Sequence, residues 1–183
     1  MQIITNFKKV NKKFLVIIVV LVAAGLGLYV YLGGFNTATV QIVTSETHYI
    51  AGRYFAGPLE DKKLGELFRQ AAENLETKKL NGVLANIYYN NPEKQSDSIK
   101  AFIGIKITDS ASANLPAGYE LRQVVGGKKV VQASVNAHYM LSPKKLYPAL
   151  FDYLKKNKLT TQSAYLEIFP NHHSALVQTE VRP

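Results

Sequence analysis

The stretch YLEIFPNHHSALVQTEV, Tyr165 to Val181, contains two apolar segments on either side of a polar turn. The composition of the segments, Tyr165 to Phe169 and Ala175 to Val181, predicts two strands, and PNHHS predicts the turn between them. Side chains alternate between the faces of a strand, so Tyr165, Glu167 and Phe169 share one face. The sequence therefore places an acid on an aromatic face.

Two further strands and a helix precede this hairpin in the second half of the chain. We predict strands at Tyr119 to Val125 and Lys129 to Tyr139, around a turn at Gly126-Gly127. Ser142-Pro143 has the composition of a helix start, with Ser as N-cap and Pro at the first helical position. The apolar stripe of this helix consists of Leu146, Leu150, Tyr153 and Leu154. Pro148 would cost a hydrogen bond inside the stripe, so the regular helix is predicted to begin at Tyr147.

The first half of the chain has the same order of elements. Apolar residues at helical spacing predict one helix between two pairs of strands. The helical face consists of Leu64, Leu67, Phe68, Ala71 and Leu75, and the strands are Thr39 to Thr44, Thr47 to Phe55, Val83 to Tyr89 and Ile99 to Ile107.

The two halves therefore form an internal repeat. Aligning them pairs Tyr54 with Tyr139, Leu67 with Leu150, and Asn86 with Glu167. The predicted fold class is α+β, with two repeated strand-strand-helix-strand-strand modules related by pseudo-two-fold symmetry. Neither half could bury much alone, so residues 39–183 are expected to form one domain with a ligand groove between the modules.

An uncharged apolar segment, Phe14 to Leu32, precedes this domain. At a rise of roughly 1.5 Å per residue, a helix of this length spans the hydrocarbon core of a bilayer, which predicts one transmembrane helix. A cleaved signal peptide is the alternative, although NTATV is a poor cleavage site. The chain is thus divided into a basic N-terminus (1–13), the transmembrane helix (14–32), a linker (33–38) and the domain (39–183).

Four of the nine units of net positive charge lie before the helix, and residues 1–32 contain no acid. The net charge is +9, and Lys8, Lys9, Lys12 and Lys13 precede the helix, whereas Arg53 is the first basic residue after it. This bias predicts a single-pass protein with a cytoplasmic N-terminus and an extracytoplasmic domain. The remaining charges are scattered, so nucleic-acid binding is not expected.

Three interpretations of Glu167 follow from the sequence: an acid on a solvated sheet face, a structural ion pair, or a carboxylate facing a ligand. A carboxylate in a partly dry aromatic groove would have a raised pKa, and a cationic ligand would relieve the cost of burial. The repeat places Asn86 and Tyr88 at the positions equivalent to Glu167 and Phe169. Tyr54 and Tyr139, near the ends of their strands, are candidates for the walls of the groove.

The sequence gives little support for catalysis or for a cofactor. No cysteine occurs, which excludes thiolate ligands, disulfides and a cysteine nucleophile. His172 and His173 are adjacent in a turn, and adjacent residues in a turn rarely point at the same metal ion. No GxSxG, P-loop or HExxH motif is found. We therefore predict no catalytic residue, no metal site and no cofactor.

The segments IYYNNPEK, AFIGI, YPALFDYLKKNKL and YLEIF make the chain resemble the GyrI-like, effector-binding domain family. They are most similar to a membrane-anchored branch that includes a testis-expressed ER-phagy receptor. The resemblance implies two repeated α/β modules that bind hydrophobic, often cationic, small molecules between them. It also implies that Glu167 faces the ligand. That receptor has its domain in the cytosol, whereas the lysines here predict the reverse, so we do not expect an autophagy role.

The expected function is that of a membrane-anchored, non-catalytic module that binds hydrophobic or cationic small molecules. The first alternative is a scaffold that holds a protein partner at the membrane. The second is a hydrolase that uses Glu167 as a general base; the resemblance implies that some relatives are hydrolases that use the same pocket.

The predicted topology can be measured directly. A reporter that is active only outside the cytoplasm should be active when fused to the C-terminus, because the N-terminal lysines stay on the cytoplasmic side. A reporter that requires the cytosol is the control. Activity of the cytosolic reporter alone would contradict the predicted orientation.

Overall fold

The structure, a computed structural model, describes residues 12–91, 98–108 and 114–182, without the side chains of residues 162 and 163. The predictions that concern Lys8, Lys9 and residues 92–94 lie outside the described residues.

The helices and strands follow the predicted order. They are α1 (Lys12–Tyr31), β1 (Thr39–Thr44), β2 (His48–Gly57), α2 (Lys62–Glu76), β3 (Gly82–Tyr88), β4 (Ile99–Ile107), β5 (Glu120–Val124), β6 (Lys129–Val135), α3 (Pro143–Lys156), β7 (Thr160–Asn171) and β8 (Ser174–Arg182).

The eight strands form one antiparallel sheet in the order β1-β6-β8-β7-β3-β4-β2-β5. The predicted α+β class is therefore confirmed, and the strands of both halves belong to one continuous sheet. The central pair, β3 and β7, joins the two halves. The first strand of each half pairs with the opposite half, since β1 lies beside β6 and β5 lies beside β2.

Both α2 and α3 pack on the same face of the sheet. One apolar core contains Leu67 of α2, Leu150 of α3, and buried residues of β2, β4, β6, β7 and β8. A smaller apolar cluster, which includes Ile50, Phe102 and Leu166, occupies the other face. The face that carries the helices is called the helical face below.

Local sequence accounts for the position of α2. The side chain of Asp61 accepts a hydrogen bond from the backbone N–H of Lys63 at 2.9 Å, which caps the helix. Of the predicted apolar face, Leu64, Leu67 and Ala71 are buried, whereas Phe68 is 38% exposed at the edge of the contact with the sheet.

The predicted strand from Lys129 to Tyr139 is too long, because β6 ends at Val135. The backbone N–H of His138 donates to the carbonyl of Leu32 at 2.9 Å, so the chain here bonds to the end of α1 instead of a neighbouring strand. The carbonyl of His138 then accepts from the N–H of Leu141 at 2.8 Å. A turn replaces the end of the strand.

The helix α3 begins at Pro143 and not at Tyr147, so Pro148 lies inside it. Pro148 is exposed. It donates no hydrogen bond to the carbonyl of Lys144, and that exposed side of the helix is open to water. The side chain of Ser142 does not cap the helix as predicted; its hydroxyl donates to the carbonyl of Ala137 at 2.9 Å.

The final hairpin is close to the prediction. Asn171 pairs with Ser174 around His172-His173, which confirms the turn. The N–H of His173 donates to Oδ1 of Asn171 at 2.8 Å. The strand β7 extends back to Thr160, beyond an irregular register, and is longer than predicted.

Two glycines give a matched test of packing against helix propensity. A Cβ on Gly104 would lie 2.7 Å from the Cα of Gly52 on the paired strand, whereas a Cβ on Gly65 in α2 would meet nothing within 4 Å. We expect Gly104→Ala to lower the free energy of unfolding by about 1–3 kcal/mol. Gly65→Ala should raise it by about 0.5–1 kcal/mol. Denaturant titrations of both full-length variants measure the difference, and equal effects would contradict this explanation.

Candidate functional site

The central strand pair brings Asn86 and Glu167 directly opposite each other. Nδ2 of Asn86 lies 3.5 Å from Oε2 of Glu167, which makes it a long hydrogen-bond donor to the carboxyl group. Both side chains are buried, with exposed fractions of 4% and 3%. The two residues that the repeat treats as equivalent are therefore neighbours at the join between the halves.

Aromatic rings enclose this pair on the helical face. Tyr88 and Tyr165 are opposite each other in the register of β3 and β7, and both are buried. From α3, the ring centroids of Tyr147 and Phe151 lie 6.0 and 5.8 Å from that of Tyr165. The acid and these rings, with Asn86, are called the Glu167 site.

The burial of Glu167 excludes the interpretation that it lies on a solvated sheet face. Among residues 12–91, 98–108 and 114–182, the ion pairs found are Arg69–Glu73, Arg122–Glu120 and Lys128–Glu180, and none involves Glu167. The structure therefore does not support the ion-pair interpretation for these residues. What remains is a buried acid without a described counter-cation.

Burial raises the pKa of the Glu167 carboxyl, because removal from water disfavours the charged form. The nearby polar groups of Tyr147, Asn86 and Tyr88 favour the charged form and lower the pKa, but burial outweighs them. The site thus shifts the carboxyl toward its neutral form.

The hydroxyl groups nearby respond to the same burial. The pKa of the Tyr88 phenol and that of the Tyr147 phenol are both raised by burial, with a further contribution from the charge of Glu167. The Tyr147 hydroxyl is near enough to Glu167 to influence its pKa, but it makes no hydrogen bond of ordinary length and angle with the described residues. By geometry it is a buried donor without a partner, which is uncommon in folded proteins.

Most of the predicted site residues lie together on the helical face. Glu167, Tyr165, Asn86 and Tyr88 are in the Glu167 site, and Phe169 is half-buried on the same face at the edge of the core. The alternation predicted from YLEIF is therefore present in β7.

Two predicted wall residues lie elsewhere. Tyr54 points to the opposite face of the sheet, where its ring centroid is 6.1 Å from that of Tyr89 and Arg122 lies over it. The reason is the strand period, since Phe55 and not Tyr54 joins the core beneath α2. Tyr139 lies beyond the end of β6, with its ring near His138 and His172.

Sequence analysis missed Tyr147 and Phe151. The stripe assigned to α3 consisted of Leu146, Leu150, Tyr153 and Leu154, which omitted the aromatic pair at i and i+4 beside it. That spacing places both rings on one side of a helix, so the pair was a usable signal.

The other face of the sheet has polar features of its own. A cavity of about 500 Å³ is lined by residues that include Val83, Lys106 and Ile168. His48 also lines it, and burial together with the charge of Lys106 lowers the pKa of its imidazole. Among the described residues, no group of three or more His, Cys, Asp or Glu could hold a metal ion.

Solved structures resemble this chain in fold. An integron cassette protein from the mobile metagenome of Vibrio cholerae is 14% identical, with a TM-score of 0.62 over 80% of this chain and 99% of that one. SAV2435, solved with bound tetraphenylphosphonium, is 11% identical, with a TM-score of 0.56 over 79% and 94%. The C-terminal domain of EcmrR is 12% identical, with a TM-score of 0.54 over 80% and 98%.

These similar structures are GyrI-like, effector-binding domain proteins, and the mixed fold of this chain is consistent with theirs. At such low identity the likeness concerns the fold alone. No protein-family model and no curated protein matches the sequence.

The raised pKa of Glu167 predicts a specific pH dependence of stability. Between about pH 4.5, the ordinary value, and the raised native pKa, the native state binds more protons than the unfolded chain. The free energy of unfolding should therefore fall as pH rises through that window. Glu167→Gln removes the titrating carboxyl. The free energy of unfolding of this variant, relative to that of wild type, should therefore increase with pH in the same window.

Thermal melts of both full-length proteins from pH 4 upward would measure this difference. Glu66→Gln, which removes an exposed carboxyl from α2, is the matched control for the loss of one acid. Parallel pH profiles for wild type and Glu167→Gln would contradict the raised pKa.

Proposed function

We propose that the chain is a membrane-anchored GyrI-like module that binds hydrophobic or cationic small molecules at the Glu167 site, without catalysis. The observation that carries this proposal is the acid itself, buried beneath aromatic rings with no ion pair among the described residues.

The chemistry of the site suits an organic cation. A carboxylate buried without a counter-charge is costly, and a cation entering the site would offset that cost by stabilising the ionised form. Aromatic faces add an attraction of about 0.5–2 kcal/mol for a nearby cation. Tyr147, Phe151 and Tyr165 supply such faces next to the acid.

The similar structures support a small ligand. SAV2435 was solved with tetraphenylphosphonium, a large aromatic cation, and the EcmrR C-terminal domain belongs to a protein also solved with DNA. Tetraphenylphosphonium is therefore the probe of choice for this chain.

We further infer that the two halves are repeats related by a pseudo-two-fold axis between β3 and β7. The strand order supports this, because exchanging β1 with β5, β2 with β6, β3 with β7 and β4 with β8 reproduces it in reverse. Asn86 and Glu167 would then be one position in two copies, of which the second became acidic.

We infer that a ligand reaches the buried acid from the side of α3, because Tyr147 of α3 lies near Glu167 and Phe151 packs against Tyr165. Pro148 follows Tyr147 directly and leaves one hydrogen bond of this helix unmade. We infer that a ligand enters at the turn that carries Tyr147, where this hydrogen bond is missing.

The membrane part of the proposal depends on α1. Among the described residues, α1 is the one helix long and apolar enough to cross a bilayer, judged by length and composition, and none of its residues is buried against the domain. With Lys12 and Lys13 at its start, we infer a cytoplasmic N-terminus and an extracytoplasmic domain.

The hydrolase alternative is weakened by the state of Glu167. A general base must be ionised and must reach both water and substrate, whereas burial here favours the neutral carboxyl. The scaffold alternative would leave the Glu167 site without a ligand, so a binding measurement separates the two.

We expect the full-length protein to bind tetraphenylphosphonium. Glu167→Gln should weaken this binding at least about 30-fold, because removing one partner of a buried charge pair typically costs about 2–5 kcal/mol. Isothermal titration above neutral pH measures the change.

Triphenylphosphine oxide, which has similar rings but no charge, is the control ligand, and its affinity should be nearly equal in the two proteins. Glu66→Gln is the control variant. Unchanged affinity for the cation in Glu167→Gln would rule out the proposed role of the acid, and absence of any binding would favour the scaffold.

A further inference from the structure

The end of α1 is bonded directly to the domain. The carbonyl of Leu32 accepts from the backbone N–H of His138 at 2.9 Å. The ammonium of Lys145 donates to the carbonyls of Gly34 and Asn36 at 2.6 and 2.8 Å. Residues 33–36, which the sequence suggested as part of a linker, are therefore held against the segment between β6 and α3.

Gly33 shows how close this contact is. Its φ of +72° lies in the left-handed region, which other residues rarely adopt. A Cβ on Gly33 would lie 2.8 Å from the Cα of Ala137. The helix thus reaches the domain through a tight turn that fixes the direction of the chain.

The length of α1 leaves no spacer between a bilayer and the domain. From Lys12 to Tyr31 the helix extends roughly 30 Å, which equals the thickness of the hydrocarbon core. With Lys12 and Lys13 in one headgroup layer, Tyr31 reaches the opposite boundary. The turn that follows α1, and the residues of the domain that are bonded to it, must therefore lie within the second headgroup layer.

Exposed apolar and aromatic side chains surround this point. Phe35 and Met140 are 67% and 69% exposed, and Tyr31 and Tyr139 are exposed as well. These four residues are called the junction patch. Two ring contacts link the patch to α1 and to the β7–β8 turn. The ring centroids of Tyr29 and Phe35 are 5.0 Å apart, and those of Tyr31 and His173 are 5.4 Å apart.

We propose that the junction patch inserts into the headgroup layer of the bilayer, so that the domain rests on the membrane in one fixed orientation. This inference rests on the proposed membrane anchor. The patch is continuous with the apolar surface of α1, and tyrosines with an apolar ring and a polar hydroxyl are enriched at this depth of a membrane.

The absence of tryptophan permits a clean test. Single-tryptophan variants of the full-length protein are reconstituted into phosphatidylcholine vesicles with or without brominated acyl chains, which quench fluorescence at short range. Leu21→Trp reports on insertion of α1, and Phe35→Trp and Met140→Trp report on the junction patch. Val125→Trp is the control, because Val125 is also more than half exposed but lies by the turn that bonds to Ser45, at the far end of β1.

We expect brominated lipid to quench Phe35→Trp and Met140→Trp at least about twofold, because an interfacial side chain reaches 5–10 Å into the headgroup and acyl boundary. Val125→Trp should keep its emission. Quenching of Leu21→Trp without quenching at the two patch positions would overturn the proposed insertion of the junction patch, while the proposed membrane anchor would stand. Failure of Leu21→Trp to be quenched would overturn both proposals.

Discussion

The pairing of β3 with β7 is the constraint on which the domain depends. Five residue pairs, from Leu84 with Phe169 to Tyr88 with Tyr165, connect the two halves, in addition to the exchanged outer strands and the common core. This pairing makes one sheet of eight strands, gives both helices a common face to cover, and puts an amide opposite a carboxyl at its centre. The polar pair Asn86 and Glu167 is thus buried within the join, a combination that costs stability unless a ligand compensates for it.

Much of this arrangement could be predicted from the sequence, because strands and amphipathic helices are local patterns. The alternation in YLEIF placed Tyr165, Glu167 and Phe169 on one face, and the repeat identified Asn86 as the counterpart of the acid. The exchange of β1 and β5 between halves was not predictable, since strand pairing over such separations leaves no local pattern. The expected position of Tyr54 differs for a related reason. The repeat suggested that Tyr54 forms a wall of the groove, but the alternation of side chains along β2 places it on the other face of the sheet.

The helix α3 illustrates a different limit. Pro148 argued for a late helix start, yet the helix tolerates the proline on its exposed side, directly after Tyr147 of the Glu167 site. Helix propensities give the average energetic cost of a proline inside a helix, but they do not show whether the missing hydrogen bond lies on the buried or on the exposed side.

The exchange of outer strands also affects how the chain can fold. The strand β1, TVQIVT, follows α1 almost at once, but its partner β6 lies about ninety residues later, where Thr39 pairs with Ser134. Contacts of such separation form slowly, and an uncharged β-branched segment left unpaired is prone to join strands of other chains. During synthesis β1 must therefore wait, unpaired, until most of the domain has been made. A first strand that must wait for so distant a partner has reason to be short.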